Sequence, residues 1–153
     1  MPTPSPDDDA AAAIKTHHAE LHAGLRERVI ALHAAARENA PHQDARDAIV
    51  AFLETEILPH ATAEEETLYR AGDVGRSALL VEAMRAEHRD LVVRVGELRR
   101  AADPIAAVAA ASAILAHFES HLAKENDRLI PVLLADPQVS LGELLAGMRE
   151  LVG

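Results

Sequence analysis

Two copies of the pattern His-x-x-x-Glu, His60 with Glu64 and His121 with Glu125, stand on separate stretches that read as long helices. Residues four apart share a helix face, so each pair aims an imidazole and a carboxylate at one place. Nitrogen and carboxylate oxygen together suit a borderline metal ion such as iron or zinc, and suit magnesium or calcium less, since these want mostly oxygen. Single histidines on two further helical stretches, His18 and His88, close a ring around the same point. The chain has no Glu-x-x-His and no His-Glu-x-x-His. Neither the carboxylate-rich ferritin type of dimetal bundle nor the protease type of zinc helix is therefore expected.

A lone histidine on an apolar face is more often a satisfied core residue than a ligand. Glu64 and Glu125 change the balance. Two carboxylates facing an Ala/Leu core are costly unless protonated, paired or bound to a cation, and Arg128 is the only inward cationic side chain the pattern suggests. A water-filled polar core is the competing arrangement.

Four helices must position these groups. Residues 1–9 read as a flexible tail in which prolines alternate with small polar residues before an acidic cluster. From residue 10 to 38 apolar residues recur at helical spacing (Ile14, Leu21, Leu25, Val29, Leu32), with His18 inside the stripe. Asn39-Ala40-Pro41 ends that helix, and a second runs over 44–70, where Pro59 should bend it just before His60. A third spans 76–101 with Met84, His88, Leu91 and Val95 inward. Asp103-Pro104 restarts the chain with a cap and a first-turn proline, and the fourth helix continues to about 134. Ser140 and Glu143 form a capping box that opens a short fifth helix, expected across an end or side. Short connections make neighbouring helices antiparallel, so the expected fold is all-α, an up-down-up-down four-helix bundle, in one domain over 10–153. The starts of helices one and three then meet the ends of two and four, which sets His18, His88 and both pairs at one height. His33 and His42 fall elsewhere.

Composition narrows the partners. With no cysteine in the chain, disulfides and thiolate sites are excluded. A formal net charge of −10 without a dense basic run argues against nucleic acid and anionic membranes. No apolar run was expected to reach the roughly 20 residues of a membrane span, and the start lacks the form of a secretory signal, so the expected location is cytoplasmic.

The segments His17-His18-Ala19-Glu20-Leu21, His60 to Tyr69, Glu87-His88-Arg89-Asp90-Leu91 and His121 to Asn126 together resemble the haemerythrin-like proteins of the HHE cation-binding family, over about residues 10–135. The resemblance implies a non-haem di-iron centre, oxo- or hydroxo-bridged, with Glu64 and Glu125 as bridging carboxylates and His18, His60, His88 and His121 as terminal ligands. Oxygen-carrying haemerythrins place two histidines one turn apart on the third helix, whereas here Val92 stands one turn beyond His88. Of about twelve positions on two six-coordinate irons, roughly two would stay open.

His22, Glu56 and His117, each one turn from a ligand candidate, are candidates for additional ligands or for partners that orient the ligands. Glu65 and Glu66 read as a solvated acidic face, although Glu65 could reach the mouth of the site. Tyr69 reads as core-edge packing, with a hydrogen bond donated near the site as the alternative, and Glu87 as an arginine partner. The function expected is binding or sensing of dioxygen, nitric oxide or peroxide at the metal pair, with an unidentified redox or signalling partner. The alternatives are a di-iron peroxidase or nitric-oxide-detoxifying enzyme, and an iron or zinc storage or structural module.

Overall fold

The computed structural model describes residues 3–152, and among these there is no strand. The first helix, α1, spans Pro6–Arg37. It starts earlier than the tail reading allowed: Ser5 accepts from the backbone of Asp8, and the Asp8 side chain accepts from the Ser5 backbone. This reciprocal cap, with Pro6 in the first turn and three aspartates at the positive end of the helix dipole, makes residues 6–9 helical. Met1 and Pro2 of the expected tail, and Gly153 at the far end, lie outside the described residues.

The second leg of the bundle is built in pieces. Helix α2 (Gln43–Phe52) runs into a π turn at Leu53–Ile57, then α3 (Leu58–Glu66) and a short α4 (Leu68–Gly72). Pro59 has no N–H, and its ring would strike the carbonyl four residues back; widening the preceding turn, with Leu58 N–H donating to Leu53 O, relieves both problems. The third leg is α5 (Ala78–Arg100), entered through a 3-10 turn at Gly75–Ser77. The fourth is α6 (Pro104–Lys124), capped by Asp103, which continues through a second π turn at Glu125–Leu129 into α7 (Ile130–Ala135). That second π turn stands before Pro131 just as the first stands before Pro59, and the sequence reading passed over it.

Helix α1 packs against α2 and α6, and α5 packs against the same two, so the four legs form a ring of antiparallel neighbours. Helix α8 (Leu141–Val152) lies along the side against α1 and α3. Only half of its expected capping box forms, with Glu143 N–H donating to Ser140 Oγ; Asp7 at the start of α1 supplies the rest by accepting from Gly142 N–H at 2.9 Å. This contact ties the two ends of the chain together.

The helix over Pro104–Ala135 corrects one expectation, because an 18-residue stretch of it with mean hydropathy 1.4 makes it long and apolar enough, by length and composition, to cross a membrane. Alanines supply much of that score. Its inner face, Ala107, Ala111, Ile114, Phe118, His121, Leu122 and then Glu125, is that of a bundle's core helix.

The interior is two apolar clusters with a polar layer between them. One holds Leu21, Leu25, Leu53, Ile57, Leu91, Val95, Ile114 and Phe118; the other holds Ile14, Ala63, Leu68, Val81, Met84, Leu129 and Leu133. On every leg the candidate ligands fall between the two: His18 between Ile14 and Leu21, His60 and Glu64 between Ile57 and Leu68, His88 between Met84 and Leu91, His121 and Glu125 between Phe118 and Leu129.

Candidate metal centre

His18, His60, Glu64, His88, His121 and Glu125 are all buried and meet in this middle layer. Their donor atoms fall into two groups, each within 4.8 Å: Glu64 with His88, His121 and Glu125, and Glu64 again with His18 and His60. Glu64 belongs to both. Its Oε1 is 3.1 Å from His18 Nε2 and 2.8 Å from His60 Nε2, while its Oε2 is 3.6 Å from His88 Nε2. Glu125 also reaches both ways, with Oε1 against His121 Nε2 and Oε2 3.3 Å from His18 Nε2.

Three of the four imidazoles are held from behind. His18 Nδ1 donates to Asn126 Oδ1 at 2.7 Å, His88 Nδ1 to Glu65 Oε1 at 2.9 Å, and His121 Nδ1 to Glu87 Oε2 at 2.6 Å. These oxygens can only accept, so Nδ1 carries the hydrogen and Nε2 presents its lone pair to the centre. Glu87 is fixed in turn by Lys124. With the rings neutral, as a cation requires, the result is a concentration of lone pairs with few protons. His88 Nε2 and His121 Nε2 stand 2.9 Å apart. His60 Nε2, although close to Glu64, lies outside hydrogen-bonding geometry, and Glu125 Oε2 also has no hydrogen-bond partner. Buried polar atoms are seldom left in this state unless something else satisfies them. A divalent or trivalent cation would do so, and imidazole with carboxylate is a donor set such ions take.

The family model for the Hemerythrin HHE cation binding domain matches residues 9–138. The chain belongs to this haemerythrin family. No curated protein gives a match, and neither does any solved structure. The family is one that binds cations, and among the described residues of this haemerythrin-like chain the groups able to hold one are the two just described.

In the haemerythrin-like site without a cation, protons carry the compensating charge. Burial works against the charged form of His18, but its hydrogen bond to Glu64 and the nearby Glu125 carboxylate outweigh that and hold it up to about 9. His121 is likewise held at about 9, burial being overcome by its contact with Glu125. Glu125 is pushed up to about 7 by burial and by the Glu64 charge. Burial pushes Glu64 the same way, yet the nearby His60 charge and the hydrogen bond from His18 leave it well below the usual carboxylate range. Burial lowers His88. Arg128, the inward cation the sequence suggested, is exposed and does not share the work.

Not every candidate named from the sequence arrives. Glu56 is exposed: the π turn at Leu53–Ile57 inserts an extra residue into the turn, so the residue four before His60 no longer shares its face, and Ile57 is buried instead. His22 pairs with Glu119 at 2.8 Å, outside the cluster. His117 comes closer, lining the small cavity beside the site and donating from Nε2 to the Glu87 carbonyl at 3.1 Å. His33 bonds Ser112. His42, expected in a loop, is buried at the N-cap of α2, away from the site.

Sequence reasoning gave too little weight to the residues next to the ligands. Glu65, Glu87 and Asn126 each adjoin a ligand in sequence, one position off its face, and reach the imidazole of a different helix. Glu87 pairs with Lys124 and His121 rather than an arginine. The polar residues directly after Glu64 and Glu125 and directly before His88 were the available signal. Tyr69 is fully buried, with its hydroxyl 2.9 Å from Glu125 Oε1. On an unbroken helix it would lie about 140° round from Glu64. The break at Thr67 (φ −123°, ψ −84°), where Thr67 Oγ1 takes the Ala63 carbonyl at 2.7 Å, turns it inward.

Proposed function

We propose that the chain is a cytoplasmic haemerythrin-like protein that holds two iron ions on His18, His60, Glu64, His88, His121 and Glu125, and uses them to bind or sense dioxygen or a related small oxidant or diatomic molecule. The observation that carries this reading is the sharing of Glu64 between two donor groups, with His60 Nε2 and Glu125 Oε2 left without partners. Two cations bridged by the Glu64 and Glu125 carboxylates would satisfy both atoms. A paired iron centre supplies reversible one-electron exchange with small ligands.

The residues around it do the rest. Ile57, Leu91, Phe118 and Leu122 wall the cavity that His60, Glu64, His88, His121 and Glu125 also line, and its free space admits about one water-sized molecule. Size and polarity thereby favour a diatomic molecule over an organic substrate. Asn126, Glu65 and Glu87 fix three imidazoles with Nε2 inward. The acidic surface suits a protein free in solution.

Anaerobic titration of the reduced, iron-loaded protein with dioxygen, nitric oxide and peroxide tests the proposal. A reversible spectral adduct with dioxygen or nitric oxide supports binding or sensing. Rapid oxidation with turnover of peroxide would move the protein to the enzyme class, and a colourless zinc protein that takes up no iron would end the redox reading.

A further inference from the structure

We infer that Tyr69 is a seventh protein ligand, binding as a phenolate to the iron held by His88, His121, Glu64 and Glu125. This rests on the di-iron reading above and adds a donor to it.

The argument is one of lone pairs and spacing. The Tyr69 hydroxyl lies 2.9 Å from Glu125 Oε1, 3.0 Å from His121 Nε2 and 3.1 Å from His88 Nε2. A phenol has a single proton to give. In the neutral rings that bind a cation, the remaining hydrogens of His88 and His121 are committed to Glu65 and Glu87 at Nδ1, so both Nε2 atoms and the carboxylate oxygen are acceptors. Tyr69 can satisfy one of the three, and its own lone pairs then crowd the others.

The same separations are natural around a cation. Two metal–donor bonds of about 2.1 Å at right angles span about 3.0 Å, the distance between neighbouring donors on a six-coordinate ion. Tyr69 is adjacent in this sense to His88, His121 and Glu125 at once, so its oxygen occupies a vertex rather than an outer position. The hydroxyl is held at this point, because the side chain is fully buried and its ring stacks on His88 with centroids 5.1 Å apart. On coordination the O–H bond breaks, the oxygen pair forms the bond to iron, and the proton leaves to solvent; no electron is transferred.

The consequence is an asymmetric centre. The ion on this side takes five protein donors (Glu64, Tyr69, His88, His121, Glu125), whereas the ion on His18 and His60 takes those two imidazoles with the shared carboxylates. Open positions then concentrate on the ion held by His18 and His60, and His60 also lines the cavity.

The test uses the full chain loaded with ferric iron, and resonance Raman and visible absorption as readouts. Tyr69 is the chain's single tyrosine, so any iron–phenolate signal comes from it. Expected for the wild type is a visible phenolate-to-iron charge-transfer band whose excitation enhances phenol ring modes. Tyr69→Phe, which keeps the ring and its packing, should lose the band and the ring modes while retaining its iron. Iron bound by the wild type with no enhanced ring modes overturns ligation by Tyr69 and leaves the di-iron reading standing. Failure of the wild type to bind iron overturns both.

Discussion

His60–Glu64 and His121–Glu125 share residue types and spacing, and the fold treats them differently. The first pair follows a π turn and a proline; the second ends where a π turn begins, with its proline downstream. His121 is braced by Glu87, while His60 borders a groove between α1 and α8, with His17 edge-on at 4.9 Å between ring centroids. Glu64 sits among His18, His60 and His88 and keeps its charge. Glu125 lies under the field of Glu64 and is pushed up to about 7. One motif thus yields a carboxylate on one side and a group near its titration midpoint on the other. Placement relative to neighbouring charge decides which.

The largest expected effect tests what the two pairs share. Glu64→Ala should remove metal from both groups, with binding weakened by more than about 100-fold, beyond what loss of an orienting residue costs. Glu125→Ala should come close to it, and His33→Ala should leave metal content unchanged. Elemental analysis after iron loading measures this, and equal losses at Glu64 and His33 would refute the assignment.

The contrast between the pairs appears in the metal-free protein near neutral pH. Glu64→Gln removes the charge that the His18 imidazolium needs, and should destabilise by about 3 kcal/mol. Glu125→Gln relieves a repulsion and should cost less than about 1 kcal/mol. Urea unfolding of the two variants measures the difference; matching losses would mean that the two carboxylates are equivalent.

Acidity should separate the loaded and empty forms. The folded pKa values of Glu125, His18 and His121 are raised, so their contribution is fully present below the unfolded values and is lost as pH rises through about 7 for Glu125 and about 9 for the histidines. Glu64 has the opposite sign: its contribution is present above the usual carboxylate value and is lost as pH falls through its depressed one. The empty protein should therefore lose thermal stability between about pH 4.5 and pH 9, first through Glu125 and then through the histidines. The iron-loaded protein should not, because binding expels the same protons. A flat profile for the empty protein would contradict these protonation states.

The smallest effects belong to the residues behind the imidazoles. Glu87→Gln and Asn126→Ala should each weaken metal binding by about 10-fold to 100-fold, and Glu65→Gln, more than a third exposed, should fall at the low end. Competition with a chelator ranks them; a stronger effect at Glu65 than at Glu87 would show that the order has been misread.

Much of this site was legible in the chain because helical periodicity is a strong signal. The faces carrying His18, His88 and both His-x-x-x-Glu pairs followed from spacing, and their common height from antiparallel order. Legibility failed where the helix departs from 3.6 residues per turn. The π turn at Leu53–Ile57 removed Glu56 from the face predicted for it, and the break at Thr67 brought in Tyr69. Pro59 was recognised as a bend, but a bend does not reveal how many residues the turn will absorb. Asn126, Glu65 and Glu87 were hard to read because each serves an imidazole on another helix, a pairing that local spacing does not encode.

The central claim is that these side chains hold a pair of ions rather than one. Quantifying iron per chain in the reconstituted protein, together with the Glu64→Ala variant, tests it most directly. The account predicts two irons per chain in the wild type and the joint loss of both when Glu64 is replaced. One iron per chain in the wild type, or one ion firmly kept by Glu64→Ala, would contradict it.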